Sequence, residues 1–255
     1  VAALAAVQLL PHDPERAEAV AWEYLEKNGI PAGQGSVHVD TEQNRVAVSA
    51  ESDVDLMFAR VIGRPRATVA GGGAAMVAPL SGVQGAVPLG VAQADWKLGE
   101  QVVLKLSAND GTVAPGNYQA LALGRRGSSA YEQNLMYGYP EWIRVGDWIE
   151  TEPGNMASPS VRAGRYRIGL DPLATFETVK PGSPRLLLVP ILKDFTVNGR
   201  GEVQVVGFAM FFLEKVEEKG PDKGEITGRF LRMMAEGEID SSAPYFGVTR
   251  AKLVQ

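Results

Sequence analysis

Few side chains in this sequence have the chemistry for a reaction, and their spacing limits what that reaction could be. The 255 residues include two histidines and no cysteine. Without thiols there are no disulfides, thiolate nucleophiles, iron–sulfur clusters or cysteine-based zinc sites. His38 and Asp40 stand two apart in an alternating run, which puts both on one strand face. A metal needs three or four convergent ligands, so this pair reads as a surface histidine beside a carboxylate. His12, between Pro11 and Asp13-Pro14, reads as part of a helix start. No Gly-x-Ser-x-Gly elbow presents a serine nucleophile, and Ser128-Ser129 and Ser241-Ser242 fall in polar turns. Gly71 and Gly73 fit the first two positions of a dinucleotide fingerprint, but the third falls on Met76, and no Gly-Lys-Ser/Thr sequence completes a phosphate loop. No metal ligand, cofactor site or catalytic group is assigned on these grounds.

Paired carboxylates are the remaining route, because their pairing is spatial and does not show in sequence. Asp147, Glu150 and Glu152 lie close to Trp142 and Trp148, the one stretch where acids and aromatics concentrate. Tyr131, Tyr137, Tyr139, Trp142 and Trp148 make up five of the eleven Trp and Tyr residues. Aromatics with a polar edge suit a sugar platform or a protein interface, and an ordinary core layer uses them too. Nucleic acid is not an expected partner. The net charge is −5, and the basic residues form only two small groups, Arg60/Arg64/Arg66 and Arg162/Arg165/Arg167.

The elements that must position these residues are short and well punctuated. Gly and Pro number 29 and 16, which favours many strands and turns over a long-helix bundle. The chain opens Val1-Ala-Ala-Leu-Ala-Ala-Val-Gln-Leu-Leu10. Ten apolar residues are too few to span a bilayer, which takes about 20. They are either the end of a longer span or an Ala-rich helix packed on the core, with Leu4, Val7 and Leu10 as candidate contact residues. Asp13 as N-cap, Pro14 at the first position and Asn28-Gly29 at the close predict an amphipathic helix. Residues 36–40 and 45–50 alternate as a hairpin. Residues 53–62 carry Leu56, Ala59 and Val61/Ile62 at helical spacing and predict a helix ending at Gly63. Residues 68–70 and 74–78 flank the three glycines, and Pro79, Gly82, Gly85 and Pro88 mark an irregular connection.

Further strands are expected at residues 101–106, 118–123, 148–151, 185–192, 203–213, 225–233 and 246–253. Two helices are expected near 130–137 and 159–168. Turns are expected at Asn109-Asp-Gly111, Pro115-Gly-Asn117, Pro153-Gly-Asn155 and Asn198-Gly199, with a solvated charged loop at 214–225. The fold class is α+β: N-terminal helices and a hairpin, then a β-rich region with short helices. The expected division is a helical segment 1–30, a small α/β subdomain 31–90 and a β-rich domain 91–255, possible as one unit with 31–90.

The opening Ala-Ala-Leu-Ala-Ala-Val-Gln-Leu-Leu, Phe58-Ala-Arg-Val-Ile-Gly63 and Ala67-Thr-Val-Ala70 resemble segments of Tad (Flp-type, tight-adherence) pilus-assembly proteins of the TadE/TadG-like kind. Pro88-Leu-Gly-Val91, Pro115-Gly-Asn117, Val145-Gly-Asp147, Thr151-Glu-Pro-Gly-Asn155 and Val206-Gly-Phe-Ala209 are similar to segments of large TadG-like proteins. The resemblance implies an exported, cell-surface protein, pilus-associated or minor pilin-like, anchored in its precursor by a membrane helix. It would be a non-enzymatic filament or assembly component whose partners are itself or other pilus proteins. The Asp-x-Ser-x-Ser metal signature of larger relatives is missing, so no metal role carries over. Contact residues would be Leu4, Val7, Leu10 and the aromatics Tyr137, Tyr139, Trp142 and Trp148. From another class, those aromatics and the neighbouring acids would serve an extracellular module that binds or cleaves carbohydrate.

Overall fold

The computed structural model describes every residue except 59–61, 64, 107–118, 196, 198 and 255. Its elements run α1 (Ala2–Ala6), a 3-10 turn (Val7–Leu9), α2 (Pro14–Lys27), β1 (Gly35–Asp40), β2 (Arg45–Asp55), β3 (Arg66–Val83), β4 (Val91–Ala92) and β5 (Gln101–Lys105). There follow β6 (Leu121–Ala122), α3 (Ser128–Tyr137), β7 (Ile143–Arg144), β8 (Trp148–Thr151), α4 (Ala157–Leu170), β9 (Leu186–Leu192) and β10 (Glu202–Val216). The chain closes with β11 (Ile226–Leu231), β12 (Met233–Met234), β13 (Glu238–Ile239) and β14 (Val248–Val254). The class is α+β and strand-rich, with four α-helices and fourteen strands among the described residues. The chain divides into two units, Val1–Ala78 with Arg250–Gln255, and Pro79–Thr249. Residues 1–30 and the hairpin after them thus belong to one unit, and the boundary falls at Ala78 rather than near residue 90.

In the first unit, α2 is capped as its sequence requires. The Asp13 carboxylate accepts from the Arg16 N–H at 2.9 Å, the Asn28 side chain donates to the Tyr24 carbonyl, and Gly29 takes the left-handed φ of 78° beyond the cap. Ala17, Ala21 and Leu25, at helical spacing, are buried. They meet Ala3, Ala6, Val7 and Leu10 and the sheet residues Val46, Ala75 and Val77 in one apolar cluster. β1 pairs antiparallel with β2, from Asp40 opposite Arg45 to Gly35 opposite Ala50. β2 pairs antiparallel with β3 over eleven residues, from Arg45 opposite Met76 to Asp55 opposite Arg66.

Two expectations fail here. Residues 53–55 are strand, not helix, because Asp53, Val54 and Asp55 continue the ladder opposite Thr68, Ala67 and Arg66; the rest of the expected helix falls partly on residues 59–61, outside the described ones. The three glycines do not break β3 either. At Gly72 a Cβ would press on the Val48 carbonyl oxygen, so the missing side chain lets the two strands approach.

In the second unit, the order β4-β9-β10-β11-β5 forms one sheet, extended by β8 on β10 and β6 on β8. The last residues of β3 pair with β7 and β13, and β12 runs parallel to β14 at Met233 opposite Val248. Pro79 and Gly82 therefore sit inside a strand and not in an irregular connection. The reason is the burial of Leu80 and Val83, which holds that end of β3 extended in the core. β10 likewise runs three residues past the expected end, so the charged loop starts after Val216, whose side chain is buried against Gly164 of α4. The 118–123 strand reduces to Leu121–Ala122, with Tyr118 outside the described residues. The turns expected at 109–111 and 115–117, and Asn198 of the fourth, are also outside them.

Candidate functional site

The long β2–β3 ladder has two parts. From Arg45 to Ala50, β2 also has β1 as a neighbour, and the Glu51 N–H still donates to the Gln34 carbonyl at 2.7 Å; from Ser52 to Asp55 the ladder of β2 is with β3. This outer part is an arm. The Asp55 carboxylate pairs with the Arg66 guanidinium at 3.0 Å, the Thr68 hydroxyl donates to Asp53 at 2.7 Å, and the Leu56 N–H donates to the Pro65 carbonyl at 2.9 Å. At its tip Met57, Phe58 and Ile62 are 79%, 90% and 77% exposed. Val54 and Val69 on the stem are exposed as well. Three large apolar side chains stand in water here, and covering each would contribute about 1.5–3 kcal/mol. The sequence hid this site because Leu56, Ala59 and Val61/Ile62 fit a helical stripe, which would have turned Ile62 inward.

The residues singled out from the sequence fall into two groups. Val7 and Leu10 are core residues of the first unit, and Leu4 packs partly buried on the same cluster. Their side chains face this chain's own interior, as an Ala-rich helix packed on the core requires. In the second unit, Tyr131 is buried, with its hydroxyl 2.9 Å from the Ser160 hydroxyl. Burial raises its pKa well above the usual tyrosine range. Tyr139 is half-buried, its ring against Gly124. Three of the four aromatics proposed as contacts reach solvent: Tyr137 on α3, Trp142 before β7 and Trp148 on β8.

The exposed aromatics are not one platform. Tyr137 packs edge-on against Tyr166 with centroids 5.4 Å apart. Trp142 lies under the Arg144 guanidinium at 5.3 Å, and Arg144 grips Glu238 through two hydrogen bonds of 2.8 and 2.9 Å. Trp148 is 61% exposed and stands opposite Gln204 in the ladder. Among the described residues no ring contact joins Trp142 to Trp148.

The neighbouring acids all have structural partners. Asp147 accepts from the Arg144 N–H, Glu152 is buried and accepts from the Gly127 N–H at the start of α3, and Glu150 accepts from Arg126, each at 2.8 Å. The hydrogen bond from Arg126 holds the Glu150 carboxyl below the usual carboxylate range, whereas a general acid for glycoside cleavage needs its pKa raised.

His38 is exposed on β1, and Asp40 takes up the Glu42 and Gln43 N–H groups to shape the hairpin turn. Ser242 is likewise tied to Asp240 in a turn. Among the described residues no three His, Asp or Glu side chains are grouped to hold a metal ion, and no helix is long and apolar enough to cross a membrane. No family model, curated protein or solved structure matches the chain.

Proposed function

We propose that this chain is a non-enzymatic structural or assembly protein of a bacterial surface, TadE/TadG-like and pilus-associated, that works through protein–protein contacts. The observation that carries the reading is the β2–β3 arm, which presents Met57, Phe58 and Ile62 to solvent at the end of a braced two-stranded stem. Apolar side chains held outward in this way fit burial by another subunit. The resemblance of the chain's short segments to Tad components supplies the setting: export, a cell-surface location, and partners that are further copies or other pilus proteins.

The test replaces Phe58 and Ile62 together by serine in the full-length protein, expressed in the cells that encode it. Total protein and its circular dichroism are expected to stay unchanged, while the amount recovered with sheared surface filaments falls by at least about tenfold, the loss of some 1.4 kcal/mol of contact. Undiminished recovery, or absence of the wild-type protein from the filament fraction, overturns the reading.

The exposure of Trp148 favours a second reading, an extracellular carbohydrate-binding module. It predicts a tryptophan fluorescence change on titration with cell-wall or exopolysaccharide fragments that Trp148→Ala abolishes. A flat titration removes it.

A further inference from the structure

Lys105 ends β5 with its side chain wholly buried, at 0% exposure. A lysine is almost never placed so unless its charge is paired, yet its amine donates to two neutral oxygens. These are the Leu106 carbonyl at 3.1 Å and the Asn155 carboxamide oxygen at 3.3 Å. Three separate segments converge on this point. In the β5–β11 ladder Lys105 stands opposite Ile226, next in the chain to Glu225. Gly224 lies so close to Ala157, the first residue of α4, that any side chain at 224 would collide with it. The Lys223 ammonium donates to the Ser158 hydroxyl at 3.1 Å, which fastens the same loop to the same helix turn. Asn155 itself is presented by a strained backbone. Met156, between it and α4, takes the left-handed conformation at φ 44° and ψ 27°, which a long side chain rarely adopts.

Burial lowers the Lys105 pKa to about 8, partly opposed by the nearby Glu225 charge. Near neutral pH a useful fraction of the amine therefore carries its lone pair, as a nucleophilic lysine requires. The carboxamide carbon of Asn155 is one bond from the oxygen that the amine already touches.

We propose that Lys105 and Asn155 join in an intramolecular amide bond, with Glu225 as the proton carrier. The Lys105 nitrogen attacks the Asn155 side-chain carbonyl carbon and its proton passes through Glu225 to the departing nitrogen. One C–N bond forms, one breaks, and ammonia leaves; nothing is oxidised or reduced, and no co-reactant enters. The bond would close a loop across 50 positions of sequence. A chain without cysteine would thereby gain a covalent tie that no reductant opens. The proposal stands whether or not the protein belongs to a pilus.

Intact mass spectrometry of the full chain tests it. The expected mass lies about 17 Da below that of the sequence, the loss of one ammonia, and proteolysis is expected to yield a branched peptide joining Lys105 to Asn155. Asn155→Ala and Lys105→Met are each expected to restore the full sequence mass, and Glu225→Gln to leave a substantial unlinked fraction. The wild-type mass decides the matter even if a variant does not fold. A wild-type chain at full mass after prolonged incubation at pH 8 overturns the proposal, and so does a loss of ammonia confined to a single linear peptide, which marks succinimide formation instead.

Discussion

The two units solve the problem of a core in opposite ways. The first packs small side chains, with Ala3, Ala6, Ala17, Ala21 and Ala75 accompanied by Val7, Val46, Val77 and Leu10. The second packs large ones: Phe211 meets Phe230 edge-on at 5.1 Å, and Tyr131, Leu104, Leu187 and Ile191 fill the space around them. Every buried polar or charged side chain among the described residues is also in the second unit, namely Lys105, Thr151, Glu152, Ser160, Arg167 and Arg185. Arg167 and Arg185 are satisfied chiefly by backbone carbonyls, from Leu135 and Pro184 for the first and from Leu213, Ala174 and Glu214 for the second. Burial still lowers the Arg167 pKa, to about 10. Large rings contribute enough burial to offset such desolvation. Among the described residues the buried core of the first unit holds no aromatic ring, and Met57, Phe58 and Ile62 stand exposed at the arm tip. The contrast separates a unit packed on large rings from one packed closely on small side chains.

The contrast can be broken most sharply at Phe211. Truncation to alanine in the aromatic core should cost about 3–5 kcal/mol, read as a lower guanidinium midpoint followed by Trp96, which packs against Phe230 and Phe246. A loss below about 1 kcal/mol would mean that the rings are not what holds this unit.

The buried lysine gives the next effect, and it depends on pH. Folding lowers the pKa of a free Lys105 amine from 10.5 to about 8. Between those values the unfolded chain binds more protons, so stability rises as pH is raised across the window, by up to about 3 kcal/mol. A linked nitrogen does not titrate. Urea titrations from pH 7.5 to 10 should therefore show the gain in Asn155→Ala and not in the wild type. Using the difference between the two chains cancels the tyrosines, which titrate in both.

The smallest of the three effects probes the alanine layer. Ala21→Leu adds volume where the cluster has no room and should cost about 1–3 kcal/mol, seen as a lower thermal midpoint by circular dichroism. A neutral or stabilising outcome would show a slack interface, not a close one.

Local signals were legible where one residue decides the geometry. The Asp13 cap, the Asn28-Gly29 stop and the hairpin at residues 41–44 follow from side-chain acceptors and positive φ, and these act within a few residues. Strand β8 has the expected ends for the same reason, with alternating Trp148, Ile149, Glu150 and Thr151 facing out and in. What depends on partners distant in sequence was not legible. Nothing near residue 55 announces that Arg66 and Thr68 will brace it as a strand, so its helical spacing prevailed. Nor could composition reveal Lys105 with Asn155 and Glu225, because register and a left-handed residue bring them together across segments that no short-range pattern connects. The contact residues divided along the same line: Val7 and Leu10 followed the helix into its own core, while Phe58 stands exposed at the arm tip.

The β2–β3 ladder also has a consequence in time. Its six inner pairs, Arg45 to Ala50, have β1 beside β2, whereas the four outermost pairs, Ser52 to Asp55, have no strand on that side of β2 among the described residues. Opening the outer pairs breaks fewer neighbouring bonds, so their amide hydrogens should exchange with solvent sooner than the inner ones. One continuous pair of strands thus carries two lifetimes, long at its root and short beneath the tip, and the arm can breathe without disturbing the sheet that bears it.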